Sequence, residues 1–540
     1  MRRPLLVLVV AALAVSLPQA PRAQARASAA PAIRLVLLVA VDQFRADYLT
    51  RFASEYTAGL ARLTRRGANF RQAYLDHYPT VTAVGHATML TGAYPGVSGI
   101  IGNDWFDRDG GASVTSVVDA STQLVGGQGT GASPRRLLVS TVGDELKSAA
   151  DHRPPDQRPK VFGLSLKDRS AILSSGHRAD GAYWANGRTG TFVTSTYYRA
   201  EPHPWVAAFN AMMPADRFAG RLWEFAGGPE GKGRAMPATP GPQLYSAMAG
   251  SPFGNDFLKD FAIAALEHEK LGQRGVTDVL SVSFSSNDSV GHTHGPDSAE
   301  VRDISVKTDL VLGQLFERVD ALVGLEHTLV IFTTDHGVAP VPEVQAERRL
   351  PGGRLKGDEL FGPITAALTA KYGEGKWILA TAGSSPYLNH ALMAEKGLDP
   401  AEVRQVAATA ALGAPRVSRV YTREQLLAGQ VTPDVIGRRI ANSYHQQRSG
   451  DLEILLDPYW LRSSAGTTHG TPYPYDAHIP LILMGPGITA GSYAATVALN
   501  DVAPTVAVLL GIAPPGGATG RALTEALAPA PAPPRPRGTR

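Results

Sequence analysis

Aspartate and histidine gather at four separated places in this 540-residue chain. Asp42 ends an apolar run. Asp288-Ser-Val-Gly-His292, Asp335-His336-Gly337 and Thr467-Thr468-His469-Gly470 supply the rest. Three carboxylates and three imidazoles divide into two sites of three ligands, each keeping an open coordination position, which is the arrangement of catalytic zinc. Two such metals about 4 Å apart can clamp both the attacking and the leaving oxygen of a displacement. One Asp-His pair is ordinarily structural, but four clusters in similar settings point to a common site. The chain has no cysteine, so thiolate zinc sites are excluded and any zinc takes Asp, Glu and His ligands. Of the remaining histidines, His152, His203, His268, His327, His390 and His445 have no partner motif and read as surface or satisfied core. His294, two residues after His292, is a candidate for orienting a ligand from outside.

Two further groups could serve the same centre. Pro79-Thr80-Val81-Thr82-Ala83-Val84-Gly85-His86 is followed by Thr91-Gly92-Ala93-Tyr94-Pro95 and by Asn103. A threonine hydroxyl needs a base or a metal to become a nucleophile. At a helix start it also sits beside backbone N–H groups and a dipole that favour phosphate. The plainer reading is that Thr80 and Thr82 cap a helix. The second group is Ser165-Leu166-Lys167-Asp168-Arg169. In an extended segment Lys167 and Arg169 point the same way, and two cations suit a phosphate dianion. No G-x-S-x-G elbow and no phosphate-binding P-loop occur, and Gly126–Gly131 reads as a flexible loop.

The elements that must position these residues alternate. Arg34–Val41 is nearly all apolar and suits a strand buried on both faces of a parallel sheet. Lys160–Leu164, Val276–Phe284, Thr328–Phe332 and Ile479–Met484 are similar, and helical patterns such as Asp47–Arg65 and Val301–Leu322 lie between such runs. Strand alternating with helix predicts an α/β three-layer sandwich with a mainly parallel central sheet. Asp42, Asp288 and Asp335 fall just past strand ends, where such sheets bind ligands. Residues 185–255 and 340–460 read as insertions that wall the site.

Arg2, Arg3, the apolar run Leu5–Val15 and Ala23-Gln24-Ala25 form a signal-peptide pattern over residues 1–25. The run is too short for a stable membrane anchor. Residues 26–32 read as a linker, and the Pro/Ala/Arg tail from Ala528 as disordered. The formal charge of +4 is misleading, because six of the 52 basic residues lie in the leader and the tail with no acid beside them. Without them the 48 acidic residues slightly outnumber the basic ones, and nothing suggests a nucleic-acid partner.

Six segments, in this order, resemble the alkaline phosphatase superfamily. They are Val41–Leu49, Pro79–Asn103, Ser165–Trp184, Asn287–His292, Thr333–Gly337 and Gly466–Gly485. Within it the chain is similar to bacterial alkaline phosphatases related to nucleotide pyrophosphatase/phosphodiesterases, over residues 33–525. The resemblance implies an alkaline-phosphatase-like catalytic domain over residues 33–527 and two zinc ions. By its distance to Thr91-Gly92 and to Asn103, Thr82 rather than Thr80 matches the nucleophile. Asp42, Asp335 and His336 match one zinc site, which also holds the Thr82 oxygen; Asp288, His292 and His469 match the other. Asn103 matches a phosphoryl contact, and Lys167 with Arg169 matches the pair that marks the monoesterase branch. Gln43 stands where many relatives have Gly, and Ser98 where many have His. The implied activity is hydrolysis of small phosphate monoesters through a phospho-threonine, in an exported enzyme. The alternatives are a phosphodiesterase or nucleotide pyrophosphatase on the same metals and, from another class, a non-catalytic exported metal or phosphate binder. The sequence does not set the oligomeric state.

Overall fold

The computed structural model describes residues 33–225 and 233–528. The leader, the linker and all but the first residue of the tail lie outside them. Leu35–Val41 runs through the middle of a 12-stranded sheet. Thr328–Thr333 and Asp278–Phe284 flank it, Val161–Ser165 pairs with Asp278–Phe284, and Gly181–Asn186 pairs with Val161–Ser165; all five are parallel. Along the central strand, Leu35, Leu37, Val39 and Val41 enter one core, while Val36, Leu38 and Ala40 enter a second on the opposite face. A strand covered on both faces needs apolar side chains at every position, which explains the unbroken run. Helices Gly59–Arg66, Pro252–Glu269 and Ala299–Leu322 pack on the first core. Helices Thr82–Thr91, Val142–Ala149 and Val502–Leu510 pack on the second, completing three layers.

Three segments differ from the sequence expectation, each for a local reason. The helix expected over Asp47–Arg65 is broken into Tyr48–Arg51, a 3-10 turn at Ala53–Glu55 and Gly59–Arg66. The break is held by buried Asp309, whose carboxylate accepts from the N–H groups of Thr57 (2.7 Å), Ala58 (2.8 Å) and Leu60 (2.6 Å). This distant side chain caps the second helix, whose own first turn has none. The run Ile479–Met484 is interrupted at Pro480 and splits into His478–Ile479 and Leu481–Met484, both antiparallel to their neighbours. The loop expected over Gly126–Gly131 is shorter: it turns out of strand Val118–Val125, and Thr130 and Gly131 already belong to strand Thr130–Ala132.

The two less regular stretches behave differently. Between residues 185 and 255, Trp205, Phe209, Phe218, Trp223 and Leu244 add to the first core. Between 340 and 460 a separate core forms from Leu360, Ile364, Leu368, Trp377, Val403 and Ile454. Fully buried Asp451 ties this unit to the rest: it accepts from Arg108 (2.9 Å), Arg404 (3.1 Å) and His390 (2.8 Å).

Candidate active site

The three parallel strands at the sheet centre end side by side, and each delivers a carboxylate. Asp42 follows Leu35–Val41, Asp335 follows Thr328–Thr333 after one residue, and Asp288 lies in the first turn of helix Ser286–His294 after Asp278–Phe284. In that helix His292 is four residues on from Asp288, so both side chains share a face, with Nε2 of His292 3.2 Å from Asp288. His469 arrives from a distant loop. The result is two groups, Asp42–Asp335–His336 and Asp288–His292–His469, in each of which the candidate ligand atoms lie within 4.8 Å of one another. The rings of His336 and His469 stack across the boundary, with centroids 3.5 Å apart. Six of the sequence-predicted residues therefore converge on one place.

Each imidazole is oriented alike. Nδ1 of His336 donates to the Gly337 carbonyl (3.0 Å), Nδ1 of His292 to Thr467 (2.8 Å), and Nδ1 of His469 to Thr80 (2.8 Å). A carbonyl only accepts, so Nδ1 carries the proton and Nε2 turns a lone pair toward the carboxylates. This is how metal-binding histidines are held. Oδ1 of Asp42 and Oδ2 of Asp335 are buried without a hydrogen-bond partner. Burial, followed by the Asp288 and Asp335 carboxylates, pushes the Asp42 carboxyl well above its ordinary value. Burial and then His336 push the His469 imidazole well below its own. Orphaned oxygens, three crowded carboxylates and inward lone pairs fit divalent cations in both groups.

Thr82 is the first residue of helix Thr82–Thr91, and Val81 before it is extended. Neither threonine caps this helix: Oγ1 of Thr82 lies 3.4 Å from Nε2 of His336, while Oγ1 of Thr80 donates to the Thr471 carbonyl at 2.9 Å. The helix lies so close to the first group that a Cβ at Gly85 would collide with the Asp335 backbone. Asn103 accepts from the Ala83 N–H at 2.9 Å through Oδ1, which leaves its NH2 group free to donate.

Lys167 Nζ stands between the groups, 2.6 Å from Asp42 and 2.6 Å from Asp288. Burial opposes its charge, but Asp288 and Asp42 outweigh burial and raise its pKa above the ordinary lysine value. Arg169 is not on an extended continuation as expected, because helix Asp168–Ser175 begins between the two residues. Its charge still reaches Lys167, and its Nε is buried with no hydrogen-bond partner. His294 pairs with Glu300 at 3.7 Å and supports no ligand.

Two residues given no role from the sequence belong to the site. His86, one helical turn after Thr82, sets Nδ1 2.9 Å from the Thr82 carbonyl and 3.4 Å from Asp335, with Nε2 2.7 Å from Ser283 Oγ. Its four-residue offset from Thr82 was the available signal. Gln43 adopts φ +63°, which explains why Gly serves at this position in the resemblance. Its backbone N–H donates to Asp335 (3.2 Å) and its side-chain amide to Asp288 (2.6 Å), so it joins the two groups. Gly291 makes room, since a Cβ there would strike the Gln43 side chain.

A family model described as type I phosphodiesterase / nucleotide pyrophosphatase matches residues 36–477. The chain belongs to this family, within the alkaline phosphatase superfamily. It is 34% identical to alkaline phosphatase PafA of Elizabethkingia meningoseptica over 93% of this chain and 96% of that protein. It is 36% identical to alkaline phosphatase PhoV of Synechococcus elongatus over 92% of this chain and 93% of that one. The crystal structure of wild-type PafA superposes with a TM-score of 0.85, covering 93% of this chain and all of that one. A solved PafA variant carries substitutions at a threonine, an asparagine, a lysine and an arginine. Their sequence separations, threonine to asparagine and lysine to arginine, equal those of Thr82 to Asn103 and Lys167 to Arg169.

Proposed function

We propose that this protein is an exported alkaline phosphatase that hydrolyses phosphate monoesters through a phospho-Thr82 intermediate at a two-zinc site. The observation that carries the reading is the pair of carboxylate–imidazole groups meeting at Thr82, with Lys167 between them. The likeness to named alkaline phosphatases over nearly the whole chain supports it. Among the described residues no helix is long and apolar enough to cross a membrane. The export reading rests on the leader pattern.

Asp42, Asp335 and His336 would hold one cation, with the Thr82 oxygen beside it; Asp288, His292 and His469 would hold the other. Bound there, two zinc ions would supply Lewis acidity that lowers the pKa of a hydroxyl and neutralises phosphate charge. Thr82 Oγ1 gives its proton to water and attacks phosphorus in line, the bond to the ester oxygen breaks, and the departing alkoxide takes a proton back from water. The Asn103 amide, Lys167 and Arg169 donate to the non-bridging oxygens, where charge is greatest. Water then attacks phospho-Thr82 on the side of Asp288, His292 and His469, releasing phosphate and restoring the hydroxyl. A monoester dianion has charge for both cations, whereas a diester offers less charge and a bulkier second group. That difference ranks the monoester reading above the diesterase one. The test is phosphate release from p-nitrophenyl phosphate, compared with a diester of the same leaving group. Faster cleavage of the diester would reverse the ranking.

A further inference from the structure

A cavity of about 380 Å³ opens from the site, and the mechanism above uses none of its far wall. Its inner end is lined by Val81, next to Thr82, and by Asn103 and His469. This is where the organic part of a substrate must go once its phosphorus is at Thr82. The far wall comes from the 340–460 unit and from Tyr78. It presents two aromatic rings, Tyr78 and Trp460, together with Ser385, Glu453 and Arg462.

The polar atoms in this wall are arranged for a ligand. Ser385 Oγ donates to Oε2 of Glu453, leaving Oε1 available to accept. Arg462 is fixed by donating Nη1 to the Gly383 carbonyl and by lying over the Phe361 ring at 4.9 Å, which leaves further N–H groups for a ligand. After burial, the charges of Glu453 and Arg462 both act on the Tyr78 hydroxyl, the first raising and the second lowering its pKa. All three residues line the one cavity. Tyr387 lies fully buried behind this wall: its hydroxyl donates to the Arg448 carbonyl at 2.7 Å and its ring packs edge-on against Phe106.

The charge balance narrows the ligand. A cationic leaving group would meet Arg462, and an anionic one would meet Glu453. A neutral group with several hydroxyls satisfies both, because each hydroxyl can donate to a carboxylate and accept from a guanidinium. Ring faces cover the C–H surfaces of such a molecule, and the volume exceeds that of one hexose. We infer that this cavity is a leaving-group pocket for a neutral polyhydroxylated alcohol, so that sugar monophosphates are the favoured substrates. The inference rests on the phosphatase reading above and extends it from the reacting phosphate to the alcohol.

The experiment compares kcat/KM for glucose 6-phosphate, 2-aminoethyl phosphate, adenosine 5′-monophosphate and methyl phosphate in the wild type and in Glu453→Gln, Glu453→Ala and Arg462→Gln. Glucose 6-phosphate should be the best of the four in the wild type. Its advantage over methyl phosphate should fall about 10- to 100-fold in Glu453→Ala, the range for a charge-assisted hydrogen bond, and mainly through KM. Glu453→Gln keeps an acceptor and should lose less. A merely structural role would lower both substrates together and leave their ratio unchanged, which would overturn the inference. So would a wild-type preference for the amine or the nucleotide, and these two results need no variant to fold. If the wild type releases no phosphate from p-nitrophenyl phosphate, the phosphatase reading itself fails and the pocket falls with it.

Discussion

The two ligand groups use the same chemistry in different surroundings. Side chains of Asp42, Asp335 and His336 are completely inaccessible. In the other group Asp288 and His469 are nearly so, but His292 is 36% exposed. The closed group comes from strand ends and lies beside the Thr82 hydroxyl; the open one includes a helix and a loop and carries the more exposed histidine. The difference fits the proposed mechanism, in which one group would activate a residue of the protein and the other would admit solvent. It also follows from the local structure: the central strands are roofed on both faces, whereas a helix presents its last turn to the outside.

The largest expected effects come from breaking this asymmetry. Asp335→Ala removes a ligand from the closed group, and its turnover should fall by several orders of magnitude with loss of about one metal ion per chain that added zinc does not restore. His292→Ala should bind metal reversibly, and excess zinc should recover part of its rate. Metal analysis with activity titration checks both, and identical behaviour of the two variants would erase the distinction. Next in size is the Lys167→Ala/Arg169→Ala double variant. Each charged hydrogen bond to phosphate contributes roughly 1.5–3 kcal/mol, so monoester kcat/KM should fall about 10²- to 10⁴-fold. The diester rate should fall far less, with zinc content measured in the same samples. Equal losses would show that the pair does not set specificity.

Smaller effects test regions outside both groups. Burial raises the Glu453 carboxyl to about 7 despite its hydrogen bond from Ser385. A carboxyl raised on folding keeps its proton longer in the native state, so stability falls as pH rises from the unfolded value through about 7. Glu453→Gln should therefore stabilise the protein at pH 8.5 by about 1–3 kcal/mol and change little at pH 4. Thermal unfolding at the two pH values measures this, and equal shifts would contradict it. Thr80→Ala should be mildest: it loses one hydrogen bond, to Thr471, at about 0.5–1.5 kcal/mol and leaves turnover nearly unchanged.

Much of this arrangement was legible before any coordinates. Apolar runs with Asp42, Asp288 and Asp335 just past their ends announce central parallel strands, because such strands are buried on both faces. That shared placement brings the three carboxylates together. Residues whose role depends on one distant contact were not legible. Asp309 caps a helix some 250 residues earlier in the chain, which no local pattern reveals. Gln43 acquires its role from a left-handed backbone and from the space left by Gly291. Glu453 looks like any surface glutamate in the sequence, and only packing of the 340–460 unit against Tyr78 turns it into a cavity wall. The break at Pro480 was readable in principle, since proline interrupts a strand, but the antiparallel direction after it is set by tertiary pairing.

The most direct test of the central claim is to find the covalent intermediate. The enzyme would be mixed with a phosphate monoester, quenched in acid within a turnover, digested and analysed by mass spectrometry. The account predicts one phosphorylated residue, Thr82, and no phosphopeptide from Thr82→Ala that retains its metals. Phosphate on Thr80, or full turnover by metal-loaded Thr82→Ala, would contradict it.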